Sequence, residues 1–175
     1  MTMKKRLVLL GGAMGVATLP SVASAADATA TAGIEATVVQ PIAIAKNTDL
    51  NFGSFAADND ASGTVVVSTA DGRTFTGGTS AVSSGAGTVS SASFSVTGEG
   101  TSTFSITLPT TVTLTHTNLT DTMSVGTFAS NPSGTGTLSA GAATVKVGAT
   151  LSVAAGQAAG VYANASGLPV TVAYN

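Results

Sequence analysis

Leu168-Pro169-Val170-Thr171-Val172-Ala173-Tyr174-Asn175 is the stretch whose reading decides the fold. Val170, Val172 and Tyr174 recur at period two, with Thr171 and Ala173 between them, so one face is apolar and the other nearly polar. That is a β-strand, and it closes the chain. A last strand with a large aromatic at the penultimate position and Asn175 beyond it is an edge that another protein can grip. Assembly, before chemistry, is the function to consider first.

Working back from that strand, the same rhythm repeats. A short alternating run is followed by a Gly/Ser/Asn/Asp cluster and then another run, and no window shows helical periodicity with caps. This predicts an all-β sandwich or barrel. The expected strands are 28–39, 42–45, 64–68, 73–76, 93–97, 103–108, 111–114, 123–128, 143–153, 160–162 and 170–174. Asp71-Gly72 predicts a tight hairpin turn, and Pro109 a second hairpin between its flanking strands. Phe94 with Val96, and Val145 with Val147, are expected to face inward. Pro41 and Pro169 fall where a run starts, the position that tolerates a residue without an N–H. The Gly/Ser-rich residues 77–91 read as a long loop or weak edge strand within one domain.

The start of the chain divides in two. Lys4, Lys5 and Arg6, the apolar stretch from Leu7 to Ala17 and Ala23-Ser24-Ala25 together read as a secretory signal peptide, residues 1–25. The apolar stretch falls short of the ~18 residues that a membrane helix needs, and Gly11, Gly12 and Pro20 interrupt it. No later stretch is apolar for long enough, so no membrane span is expected after cleavage. Residues 26–38 then read as an N-terminal extension. Ala28, Ala30, Ala32, Ile34, Ala36 and Val38 alternate with Thr29, Thr31, Gly33, Glu35 and Thr37, the longest strict alternation in the chain. A terminus written as a strand needs a groove to lie in, and the same alternation suits a groove in its own domain or in a neighbour. Residues 39–175 form the β-sandwich domain.

Composition excludes several functions. Removing residues 1–25 leaves Lys46, Arg73 and Lys146 against eight acidic residues, a net charge of −5. No basic patch can meet a phosphate backbone, so nucleic acid is not a partner. The chain has no cysteine, so burial and sheet hydrogen bonds alone must hold an exported domain together. Catalytic material is scarce as well. His116 is the only histidine, on Thr113-Leu114-Thr115-His116-Thr117, and reads as a strand-end residue. No G-x-S-x-G elbow occurs, and no enzyme or cofactor is expected. Asp58-Asn59-Asp60-Ala61-Ser62-Gly63 has the alternating oxygens of a calcium loop at Asp58, Asp60 and Ser62. Thr69 stands where the twelfth-position Glu would be, and no metal is expected. There is no Trp, and Phe94 and Phe104 are expected in the core.

Seven segments carry a resemblance when read in order. They are residues 36–44 (ATVVQPIAI), 49–53 (DLNFG), 94–98 (FSVTG), 106–109 (ITLP), 147–151 (VGATL), 156–162 (GQAAGVY) and 170–174 (VTVAY). Together they resemble bacterial fimbrial subunits of the chaperone–usher type, and more closely the pilin-like Domain of unknown function 4402 family. The resemblance implies an immunoglobulin-like β-sandwich that lacks one strand. It implies a periplasmic chaperone and an outer-membrane usher as partners, with Val170, Val172, Tyr174 and Asn175 facing the chaperone. It further implies donation of Ala28, Ala30, Ala32, Ile34 and Ala36 to a neighbouring subunit, giving a head-to-tail fimbria that supports adhesion at the bacterial cell surface. The chain departs from such subunits in having no disulfide and in an Ala-rich donor face. A boundary further along, with residues 34–44 as the domain's own first strand, is the alternative division. The alternative function is a self-complete secreted β-sandwich, an adhesin or surface-coat module that does not polymerise.

Overall fold

Val145, Val147, Ala149, Leu151 and Val153 at every second position make residues 142–153 the longest of the described strands, and the rest of the fold is arranged around it. The computed structural model describes residues 27–82, 85 and 87–175; the leader read over residues 1–25 lies outside them. The described strands are β1 (Ala43–Thr48), β2 (Phe55–Ala57), β3 (Gly63–Val67), β4 (Arg73–Gly77), β5 (Thr79–Ala81), β6 (Ala92–Thr97) and β7 (Thr103–Thr107). They continue with β8 (Thr111–His116), β9 (Thr122–Asn131), β10 (Thr135–Thr137), β11 (Ala142–Val153), β12 (Tyr162–Ala163) and β13 (Thr171–Tyr174). The described residues are all-β, with no helix among them, and their layers are consistent with a β-sandwich.

β11 changes partner halfway along. Its first half pairs β6 and its second half pairs β3, while β9 runs along the opposite edge. The change falls at Gly148, where a Cβ would lie 2.3 Å from the Val67 carbonyl oxygen, and the β9 register slips between Gly148 and Thr150. Only glycine lets β3 approach this closely. The sheet runs β1-β6-β11-β9-β8-β12, with β3 and β4 attached at β11; a second sheet is β10-β7-β13, and β2 pairs β5.

Two apolar clusters result. Val145 and Val147 pack with Phe94, Val96, Phe104 and Leu138, whereas Leu151 and Val153 pack with Val65, Val67, Met123, Val125 and Phe52. Each fully buried Val or Leu contributes roughly 1.5–3 kcal/mol, so one alternating strand anchors both clusters. The expected inward pairs are all buried.

Two expectations change. Residues 28–39 form no strand in the single chain. β7 and β8 do not form a hairpin across Pro109: β7 pairs β10 and β13, and β8 pairs β9 and β12, so the chain crosses between sheets there. Residues 77–91 contain β5, a weak edge strand as one of the two readings expected, and its partner is the equally short β2. The turn at Asp71-Gly72 does form. Ser68 N–H donates to Gly72 O at 2.8 Å, and Asp71 takes the left-handed position (φ 64°) of a three-residue hairpin loop.

Candidate functional site

Two of the unpaired strand edges flank one apolar cluster. β13 pairs β7 alone, and β1 pairs β6 alone, among the described strands. Antiparallel partners alternate between bonded and non-bonded positions, so a single bond fixes which residues point outward. Asn175 N–H donates to Thr103 O at 3.2 Å, and the register sets Tyr174 against Phe104 and Val172 against Ile106. Thr171 and Ala173 therefore bond to β7, and the backbones of Val172 and Tyr174 face the open edge. On the other sheet, Gly98 N–H donates to Gly141 O at 2.9 Å, which directs Thr97 and Ser95 toward Ala43 and Ala45 of β1. The backbones of Ile42 and Ile44 are then the ones facing outward.

The side chains of these four residues stand off the sheet face, onto the Phe94 and Phe104 cluster. Ile42, Ile44, Ile106, Leu108, Leu168, Val170, Val172 and Tyr174 all pack on it, and all are only half-buried. This part of the core is covered on one side and left open along two strand edges. The terminal-strand residues singled out in the sequence thus occupy one edge: Val170, Val172 and Tyr174 inward, Asn175 exposed. Ile42 and Ile44 of the opposite edge were not singled out. Their alternation is as regular, but nothing in one strand's sequence says whether its far edge is paired.

One end of this open region is tied. The Tyr174 hydroxyl accepts from Glu99 N–H at 2.6 Å and donates to Gln40 O at 2.8 Å, and the Glu99 carboxylate accepts from Gln40 N–H at 3.0 Å. Gly98 makes room, since a Cβ there would lie 2.2 Å from the hydroxyl oxygen. The other end widens. Leu168 opens onto a cleft of about 1420 Å³ whose lining includes Phe94, Leu114, Met123 and Phe128. Among the described residues, its charged lining residues are Lys46 and Asp49, paired at 2.6 Å.

The N-terminal donor candidates are in a segment with no regular structure. Ala28, Ala30, Ala32, Ile34 and Ala36 are exposed, Ile34 at 99%, as is Val38, which leads into β1. Residues 34–44 do not form one strand, because β1 begins at Ala43.

The remaining candidates are engaged locally. Asp58 Oδ1 accepts from Asp60 N–H at 2.8 Å, and no group of three or more His, Cys, Asp or Glu gathers among the described residues. His116 ends β8, packs against the Tyr162 ring in a tilted arrangement with centroids 4.7 Å apart, and accepts from Asn118 N–H through Nδ1. Asp71 receives Ser91 N–H and Ser91 hydroxyl at 2.7 Å each, and Lys146 Nζ at 3.0 Å. These bonds, the Ser91 backbone first, lower its pKa from 3.8 to about 2. Asp71 thereby fastens the β3–β4 turn to the start of β6 and to β11.

No curated protein and no solved structure matches the chain. A family match does exist, and it runs from the inward isoleucine beside β1 to the tyrosine of the tied end. Residues 42–174 fit the family described as Domain of unknown function (DUF4402), and the chain belongs to that family.

Proposed function

We propose that the chain is a structural subunit of a bacterial surface fibre assembled by donor-strand exchange. One observation carries the reading. Ile42 and Ile44 on one edge, and Val172 and Tyr174 on the other, turn their side chains onto a half-covered core and their backbone N–H and C=O groups to the unpaired side of each strand. A strand added along either edge covers more of the core and extends a ladder, with each ladder bond contributing about 0.5–1.5 kcal/mol. The exposed alternating segment 28–38 supplies such a strand from a neighbouring copy, and its alternation would leave Thr and Glu on the outer face.

Before polymerisation the β13 edge would be held by a periplasmic chaperone and delivered to an outer-membrane usher. A head-to-tail contact of this kind does not close, so it generates filaments. The role is mechanical, in adhesion and surface display, with no catalysis and no cofactor. Surface-sheared material should contain filaments by electron microscopy and an SDS-resistant ladder that collapses on boiling. Monodisperse monomer with residues 26–38 protected from protease would instead establish the self-complete secreted module.

A further inference from the structure

We infer that His116 is a pH-dependent clasp: its neutral imidazole joins the turn between β8 and β9 to the rim of the large cleft, and its protonation releases both. This role is independent of the donor-strand reading.

The two bonds of the ring assign its proton. Asn118 N–H can only donate, and it reaches Nδ1 at 3.0 Å, so Nδ1 carries a lone pair. The Ala159 carbonyl can only accept, and it lies 3.2 Å from Nε2, so Nε2 carries the hydrogen. One neutral tautomer satisfies both partners, and the partners belong to different segments. Asn118 lies in the turn, and Ala159 lies in residues 156–162, which line the cleft. That stretch is lightly held against β8. β12 is two residues long, and Thr117 N–H adds one bond to Val161 O at 3.2 Å. The Tyr162 hydroxyl is spent within the stretch, on Ala158 O. Gly160 brings the backbone so near the ring that any Cβ there would overlap Nε2, so ring and rim fit without slack.

The turn is built to need this partner. Leu119 takes a left-handed backbone (φ 64°), which a bulky residue keeps only where its surroundings hold it. Asn118 Oδ1 holds the far side, accepting from Thr120 and Asp121 N–H at 3.0 and 3.1 Å, and the ring holds the near side. Beyond residue 39, Leu119 and Val161 are the large apolar side chains left exposed among the described residues, at 82% and 67%. The clasp positions one on each of the segments it joins.

Protonation adds a hydrogen at Nδ1 and sets two donors face to face. Nδ1–H and Asn118 N–H cannot bond, so the ring turns away, and Nε2 leaves Ala159 O as it does. One proton ends both ties. The titratable groups packed here, among the described residues, are Asp121 just before β9 and Tyr162 of β12. The Asp121 carboxylate accepts from Asn118 Nδ2, and an imidazolium drawn toward it would leave Ala159 all the same.

The test uses the mature full-length chain, labelled with the heavy nitrogen isotope, at about pH 8 and about pH 5, the range over which histidine changes charge. Long-range proton–nitrogen spectra report which ring nitrogen is bare. Amide hydrogen exchange, taken relative to the unstructured rate at each pH, reports the two segments. Nδ1 should be bare at the higher pH. At the lower pH, protection of Asn118 and of residues 159–162 should fall roughly three- to tenfold, as for the loss of one hydrogen bond, while β6 and β11 keep theirs. His116→Phe keeps an aromatic ring beside Tyr162 and should show the lower protection at both pH values. A proton on Nδ1 at the higher pH, or protection unchanged while the ring titrates, overturns the clasp. So does a His116→Phe chain that keeps the pH dependence. Where that variant does not fold, the wild-type measurements decide.

Discussion

Single side chains tie the elements of this protein together where charge is scarce. Asp71 is the clearest case, because its carboxylate holds Ser91 and Lys146 from a left-handed turn position. Its folded pKa, about 2, lies below the ordinary 3.8, so its ionised form contributes stability that is complete above pH 3.8 and is lost as the pH falls through about 2. Asp71→Asn lacks that contribution. The urea midpoints of wild type and variant should therefore differ most at neutral pH and converge between about pH 4 and pH 2. Tyr174 is the second such residue. Tyr174→Phe keeps the ring on the core and removes both hydroxyl bonds, which should cost about 1 kcal/mol in urea unfolding. Because the tie holds the two open edges at one end, the same variant should also capture peptide 27–38 faster. Equal capture rates would mean that the tie has no part in access.

At the scale of elements, β11 is where packing tolerates least. Gly148 lies at its change of partner, where an added methyl meets the Val67 backbone instead of a movable side chain. Gly148→Ala should cost about 1–3 kcal/mol, read as a lower urea midpoint with an unchanged slope. Leu151→Ala, in the cluster that β11 shares with β3 and β9, should cost about 2–5 kcal/mol. The two short strands β2 and β5 show what a sequence pattern leaves out. Phe55-Ala56-Ala57 and Thr79-Ser80-Ala81 are too short for alternation to register, and they are strands only because each meets the other across more than twenty residues of chain. The expected hairpin at Pro109 failed for a related reason. Proline marks a break in the ladder, but it does not say whether the chain turns back into the same sheet or crosses to the other.

For the whole molecule, the proposed fibre would be joined by sheet ladders and apolar side chains with little help from charge. Its SDS-resistant ladder should therefore be nearly unchanged between low salt and about 1 M salt, where the Debye length has fallen to about 3 Å. Ladders that weaken markedly with salt would point to ionic joining instead. Placing a carboxylate on the inward face of the donor segment, as in Ala30→Asp, should abolish polymer while leaving the urea midpoint of the domain unchanged, since residue 30 belongs to no strand of the single chain.

What the sequence determined by itself was the material: strands of period two, an inward and an outward face for each, the absence of helix among the described residues, and the two termini as the places to look for assembly. Those are local properties, set by the alternation of side chains across the pleat and by Gly, Pro, Asn and Asp at the breaks. Tertiary structure alone decided which edges remain unpaired, that Ile42 and Ile44 face Val172 and Tyr174 over one half-covered core, and that this region is tied at Gln40 and open at Leu168. An edge is open only when no other strand reaches it. That depends on pairings between residues far apart in the chain, which no single alternating run encodes.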